Sequence, residues 1–342
     1  MATLAPAAAG DVPVRRASVT QRLGAGVLSV MSWLVCRLPE APLRGAAEVV
    51  GMVWYLVAPR RRGQARRNLR RIAASLATGG RASGSVQAAA RSRLGLERLV
   101  LAAFRHLGRY YLEVARGPAF ARERVSARIE DRAPGPLDEL VAAGLGRGGP
   151  GKGVILVGLH LGALEFPSRL LAELGLRMTA PMEVIDNSAL QAYFMRTRSH
   201  EGLRLIPQES ARSELLTVLE RGEAVGLVSD RVVRGRGIPA SLFGHPVRFA
   251  AGAALLAVET GAPVYSAAVW RVGGGRYEGR MVRLEVPREG ERAARIRGFL
   301  EAEAAAFESF IAVAPEQWWS IFFPIWPDLE AIERAAVGRV TR

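Results

Sequence analysis

From residue 153 onward the chain alternates short apolar runs with amphipathic stretches, a rhythm of buried strands and surface helices. Residues 154–159 form an uninterrupted apolar run that ends in His160. Helical spacing follows over residues 166–174, entered through Pro167, a residue suited to the first turn of a helix. Further strand-like segments occupy residues 178–184, 204–206, 224–228, 263–270 and 280–286. Helical patterns at 189–200, 213–221 and 252–260 separate them, and a long helix over 291–313 closes the series. Strands taken in turn with helices predict an α/β fold with a largely parallel central sheet flanked by helices. No internal repeat interrupts this order.

The N-terminal part has a different character. Leu96, Val100, Phe104, Leu107, Tyr111 and Val114 recur three or four apart and predict a helix over residues 94–114. Residues 60–72 form a basic helix, and the Gly, Ser and Ala of residues 77–92 predict a flexible connection. Two nearly uncharged stretches, 23–36 and 45–58, precede these. Each is about 14 residues, below the roughly 20 that a helix needs to span a bilayer. A cleaved signal peptide fits poorly, because a polar tail comes first and no small-residue cleavage site follows. The two stretches predict short helices, hinged at Pro39 and Pro42, that lie in the membrane interface. The alternative is that they cover a face of the globular core. The expected organisation is a tail at 1–18, a membrane-associated helical region at 19–75, an α/β domain at 76–328 and a second tail at 329–342.

Charge narrows the partners. The chain carries 47 basic and 32 acidic residues, a formal +15, and Lys152 is its only lysine. Such an excess admits nucleic acid, an anionic membrane surface or an acidic substrate. Arg60, Arg61, Arg62, Arg66, Arg67, Arg70 and Arg71 follow directly on the second apolar stretch. No aromatic residues interleave with them and no binding module is recognisable, so nucleic acid is not an expected partner. Arginine beside apolar sequence suits anionic headgroups, at roughly 1 kcal/mol per basic residue near the surface. A solvated basic helix is the plainer alternative. Cys36 is the sole cysteine, which excludes an intrachain disulfide and agrees with a reducing compartment.

The candidate chemistry lies in HLGALE, His160 to Glu165. His160 follows a buried strand, and ligand sites in open α/β sheets lie at the carboxyl ends of strands. Glu165 precedes Pro167, at or beside a helix N-terminus, where negative charge is favoured. Within one helix the two side chains would point about 140° apart. They cooperate only if His160 lies on the strand-to-helix turn, where the sequence puts it. A carboxylate can then orient the imidazole and stabilise the imidazolium. No G-x-S-x-G elbow, G-x-G-x-x-G, Walker A sequence or metal-ligand spacing offers a competing chemistry. His106 and His200 read as structural or surface residues, and His245 is unassigned.

With GLHLGALE, the segment running from SDRVVRGRG to ETGAPV and the terminal PEQWWSIFFPIW in view, the chain resembles the lipid A biosynthesis acyltransferases. Within that family it is closest in feel to bacterial phosphatidylinositol mannoside acyltransferases. Weaker likeness covers RRNLRRI and FRHLGRYYLE, so the resemblance spans most of residues 20–328. It implies a glycerolipid acyltransferase-like fold and work at the cytoplasmic face of the inner membrane. The donor would be acyl-CoA or acyl carrier protein, a co-substrate rather than a cofactor, and the acceptor a glycolipid hydroxyl. By likeness, His160 is the general base, Glu165 the motif acid and Glu183, in PMEVID, a second acid paired with the histidine. Arg198 matches a basic position near the site. Arg198 and Arg231 are candidates to bind substrate phosphates, with structural ion pairs as the alternative. Asp230, grouped with them as substrate-binding, reads as a turn cap. The aromatic block Trp318, Trp319, Phe322, Phe323 and Trp326 reads as core packing beside an acyl-chain groove. Lysophospholipid or glycerol-phosphate acylation and a catalytically silent membrane adaptor stand as alternatives.

Overall fold

The computed structural model describes residues 18–120, 125–148, 153–183, 185–198, 202–208, 211–232 and 237–331. The chain opens with helices α1 (Val19–Val35), α2 (Glu40–Val57), α3 (Pro59–Thr78), α4 (Gly84–Arg91), α5 (Arg93–Ala115) and α6 (Gly117–Phe120). After β1 (Ile129–Asp131) and α7 (Pro134–Ala142) comes the expected alternation. It consists of β2 (Val154–Gly158), α8 (Phe166–Glu173), β3 (Met178–Met182), α9 (Ser188–Arg198), β4 (Leu203–Pro207), α10 (Ala211–Glu220) and β5 (Ala224–Val228). A hairpin of β6 (Ile238–Leu242) and β7 (His245–Phe249) leads to α11 (Gly252–Thr260), then β8 (Val264–Gly273), β9 (Arg276–Leu284) and α12 (Arg292–Val313).

The sheet has the order β1-β9-β8-β2-β5-β3-β4. Its five strands from β8 to β4 are parallel, while β9 runs antiparallel to β8 and β1 follows β9. β2 is central, and Val154, Ile155, Leu156 and Val157 are all buried, as its uninterrupted apolar run requires. Val225 and Val264 close the core from the neighbouring strands.

Two segments differ from or add to the reading of the sequence. Residues 77–92 are not a flexible connection: α3 continues to Thr78, and α4 packs through buried Val86 and Ala89. The small residues permit a close helix crossing, since a Cβ on Gly95 would lie 2.2 Å from the Ala88 carbonyl oxygen. The segment FGHPVRF, which holds the unassigned His245, forms the tip and second strand of a β-hairpin, with Phe243 (φ 54°) and Gly244 (φ 75°) at its tip.

The N-terminal helices dock on the α/β unit. α2 and α5 touch backbone to backbone where a Cβ on Gly108 would stand 2.1 Å from the Ala47 carbonyl oxygen. No helix among the described residues is long and apolar enough to cross a membrane. α1 leaves Leu23, Val27, Val30, Met31 and Leu34 exposed, and α2 leaves Val49, Val53, Leu56 and Val57 exposed.

Candidate active site

Strand register builds the centre of the site. Gly158 of β2 lies opposite Val228 of β5, so His160 and Asp230, each two residues further on, emerge side by side. His160 Nδ1 is 2.7 Å from Asp230 Oδ1. Asp230 Oδ2 accepts from the His160 backbone N–H (3.2 Å), Trp318 Nε1 (2.7 Å) and Ser320 Oγ (2.7 Å). Burial works against the Asp230 carboxylate, but the charge and hydrogen bond of His160, with Ser320 and Trp318, outweigh it and hold its pKa below the ordinary value. An ionised partner at Nδ1 keeps the proton there and leaves Nε2 as the acceptor.

The turn after His160 is fixed on both sides. Gly162 adopts φ 59°, and a Cβ there would meet the Val269 carbonyl oxygen at 2.1 Å, so the position requires glycine. The Ala163 N–H donates to that same oxygen (2.9 Å), while the Gly162 N–H donates to Gln317 (3.0 Å) and the Trp319 N–H to the His160 carbonyl (2.9 Å). The Trp319 ring stands edge-on to the imidazole, 4.2 Å between centroids.

The other expected site residues form a flank rather than the histidine's partners. Glu165 stands at the N-cap position of α8, where its side chain makes no capping hydrogen bond, and pairs with Arg198 Nε at 3.0 Å. Arg198 Nη2 donates to Tyr110 Oη (3.0 Å), and Tyr110 stacks on Trp319. Burial pushes the Tyr110 phenol up to about 12, so it stays neutral. Glu165 therefore meets His160 only through a chain of side chains. The expectation that Glu165 orients the imidazole is corrected: the Gly162 turn carries it away toward α9. Glu183 does not pair with the histidine either. Its half-exposed carboxylate lies 3.8 Å from Arg231 Nη2, and the Arg231 guanidinium sits 4.4 Å over the Phe323 ring. Asp230 is not a turn cap but the acid that holds His160. His200 lies outside the described residues.

Several supporting residues were not singled out from sequence. Arg271, buried, bonds Glu113 through both Nε (2.6 Å) and Nη2 and reaches the Gly162 carbonyl (3.0 Å). Tyr277 Oη also donates to Glu113 (3.0 Å). Asn68, fully buried, donates to the carbonyls of Ile321 (2.8 Å) and Phe323 (2.9 Å), which ties α3 to the aromatic segment. Glu113 and Asn68 fall in FRHLGRYYLE and RRNLRRI, the segments of weaker family likeness, the one sequence signal that could have found them.

The bacterial lipid A biosynthesis acyltransferase family model matches residues 15–323. A phosphatidylinositol mannoside acyltransferase of Mycobacterium tuberculosis is 28% identical over 246 residues, 69% of this chain and 73% of the relative. The protein of that name from Mycolicibacterium smegmatis is 26% identical over 250 residues, 70% of this chain and 76% of the relative. The strand-end histidine, the acid beside it and the aromatic residues Trp318, Trp319, Phe322 and Phe323 lie within the matched span, and the chain belongs to the bacterial lipid A biosynthesis acyltransferase family.

Proposed function

We propose that this acyltransferase moves a fatty acyl group from a thioester donor, acyl-CoA or acyl carrier protein, to a hydroxyl of a membrane glycolipid, with His160 as general base. One observation carries the reading: Asp230 occupies His160 Nδ1 at 2.7 Å, so the free Nε2 is the atom that takes a proton. Nε2 removes the acceptor hydroxyl's proton as its oxygen attacks the thioester carbonyl. The tetrahedral intermediate collapses, the C–S bond breaks and the thiolate leaves with the proton returned from the imidazolium. Asp230 stabilises that imidazolium while it exists. Such acid–base work contributes roughly 10²–10⁴-fold. Glu165 and Arg198 brace the wall beside the imidazole through Tyr110 and Trp319. Arg231, above Phe323 and with only a half-exposed Glu183 near it, is the better of the two arginines to receive a substrate phosphate.

The relatives' name motivates an acceptor of phosphatidylinositol mannoside or lipid A-precursor type. A substrate of that kind lies in a bilayer, and the formal +15 charge with the apolar stripes of α1 and α2 suits an anionic surface, at the cytoplasmic face of the inner membrane.

The test is incubation with radiolabelled acyl-CoA, and separately acyl carrier protein, in a total lipid extract from the host. A labelled glycolipid that is absent with folded His160→Ala supports the reading, and its mass identifies the acceptor. Near-normal transfer by His160→Ala removes His160 as base. No labelled lipid from either donor favours the silent adaptor, and labelled glycerophospholipid favours the lysophospholipid alternative.

A further inference from the structure

α12 carries an acid into the core that the chemistry above leaves unused. Glu303 is fully buried, and its Oε1 is hydrogen-bonded to Ser229 Oγ. Ser229 immediately precedes Asp230. Its backbone N–H donates to the Gly158 carbonyl (3.2 Å) and its own carbonyl accepts from Ala250 (3.1 Å). Glu303 thus grips the residue that joins the end of β2, which carries His160, to the acid that holds His160. The second oxygen of Glu303 has no hydrogen-bond partner.

Among the described residues no cation pairs with it. The elements packed on α12 bring charged residues: Glu259 on α11, Arg271 on β8, Arg276, Glu278, Arg280 and Arg283 on β9, and Glu316 in the turn beyond the helix. β6 brings none. None of these acts on Glu303; the charge that does is Asp230. Burial first and Asp230 second, against the Ser229 hydrogen bond, push the Glu303 carboxyl up to about 8. At neutral pH it is an uncharged acid beside a charged one, an arrangement that keeps two buried carboxyl groups from repelling each other.

We propose that Glu303 is a positioning residue for the His160–Asp230 pair: its buried carboxyl anchors Ser229 and so fixes Asp230 against the imidazole. The catalytic part of this proposal rests on His160 being the base. When Glu303 ionises, a second negative charge appears behind Asp230, and the pair must rearrange or share a proton. The site therefore has an alkaline transition that originates outside the residues touching substrate.

The experiment reads the His160 ring directly. The full chain carries ¹³C-labelled histidine, and the His160 signal is identified by its loss in His160→Ala. Besides any titration of the ring itself, its shift is expected to inflect again near pH 8, and Glu303→Gln, which cannot ionise, removes that inflection. In acyl-transfer assays, Glu303→Leu is expected to lower kcat by about 10- to 100-fold with little change in KM, the loss typical of a misplaced catalytic group. Glu303→Gln should rescue most of that loss and abolish the decline of kcat above pH 8. A second inflection that persists in Glu303→Gln, or is absent from the wild type, overturns the proposal. So does a folded Glu303→Leu protein with unchanged kcat. If no acyl transfer is detected from the wild type, the reading of His160 as base fails by itself, and the inflection still decides whether Glu303 couples to the pair.

Discussion

A carboxylate removed from water persists only where donors surround it, and Asp230 receives four hydrogen bonds: two from His160 and one each from Trp318 and Ser320. Asp230→Asn keeps the shape and removes the charge that stabilises the imidazolium. Its kcat is expected to fall by about 10²–10⁴-fold with little change in KM, checked by single-turnover transfer with saturating donor. Glu303 makes the opposite contribution to folding. Its folded-state pKa of about 8 lies above the ordinary 4.5, so the native state holds a proton that the unfolded chain has released. Stability falls as pH rises from about 4.5 to about 8 and levels off above that. Glu303→Gln removes this slope and at pH 7 is expected to gain up to roughly 3 kcal/mol, read from urea unfolding midpoints between pH 5 and 9. A wild-type stability flat over that range would contradict the buried neutral acid.

At the level of elements, the end of the sheet that holds the His160–Asp230 pair depends on a segment far away in sequence. The stretch after α12 supplies Trp318 and Ser320 to Asp230 and sets Trp319 against His160, and Asn68 of α3 pins it by two carbonyls. Asn68→Ala leaves both carbonyls bare, at about 1–3 kcal/mol each. Differential scanning calorimetry should show the lowered Tm, and kcat should fall as Trp319 loosens. The parallel sheet was readable because its central strands β2 and β5 are short apolar runs set among helical patterns, and His160 was readable because it ends one of those runs. The partner of His160 was not, because periodicity carries no strand order. Only the adjacency of β2 and β5 brings together two residues 70 apart, whereas the nearer Glu165 merely looked closer along the chain. α4 was misread because glycine, serine and alanine suit a linker and a tight helix crossing equally, and only the neighbouring helix decides. The β6–β7 hairpin hid behind Phe243, a bulky residue at positive φ that local sequence disfavours, at a typical cost of about 1–3 kcal/mol. Its burial and the bond from its N–H to Glu308 support it there.

On the scale of the whole molecule, charge and apolar surface fall together at the N-terminal end. Leu23, Val27, Val30, Met31 and Leu34 recur at helical spacing and form one exposed stripe on α1, and Trp33 is 54% exposed with Arg37 3.7 Å from its ring. α2 bears a second stripe, and α3 follows it with the arginine run. A stripe of this kind stays in water only at a cost, whereas at a bilayer each buried large apolar side chain returns about 1.5–3 kcal/mol. The arginines add attraction that salt screens within about 8–10 Å. The full chain is therefore expected to bind anionic vesicles, to bind neutral ones more weakly, and to lose affinity as salt rises. The double variant Val27→Asp, Met31→Asp removes two insertion points and adds two charges of the wrong sign without touching the core, so its partition coefficient should drop at least about tenfold. Flotation measures this directly, and a blue shift of tryptophan emission, lost in the variant, would report insertion beside Trp33. Equal binding by the variant would mean that the stripe serves another surface, and the arginine run alone would then have to account for attachment.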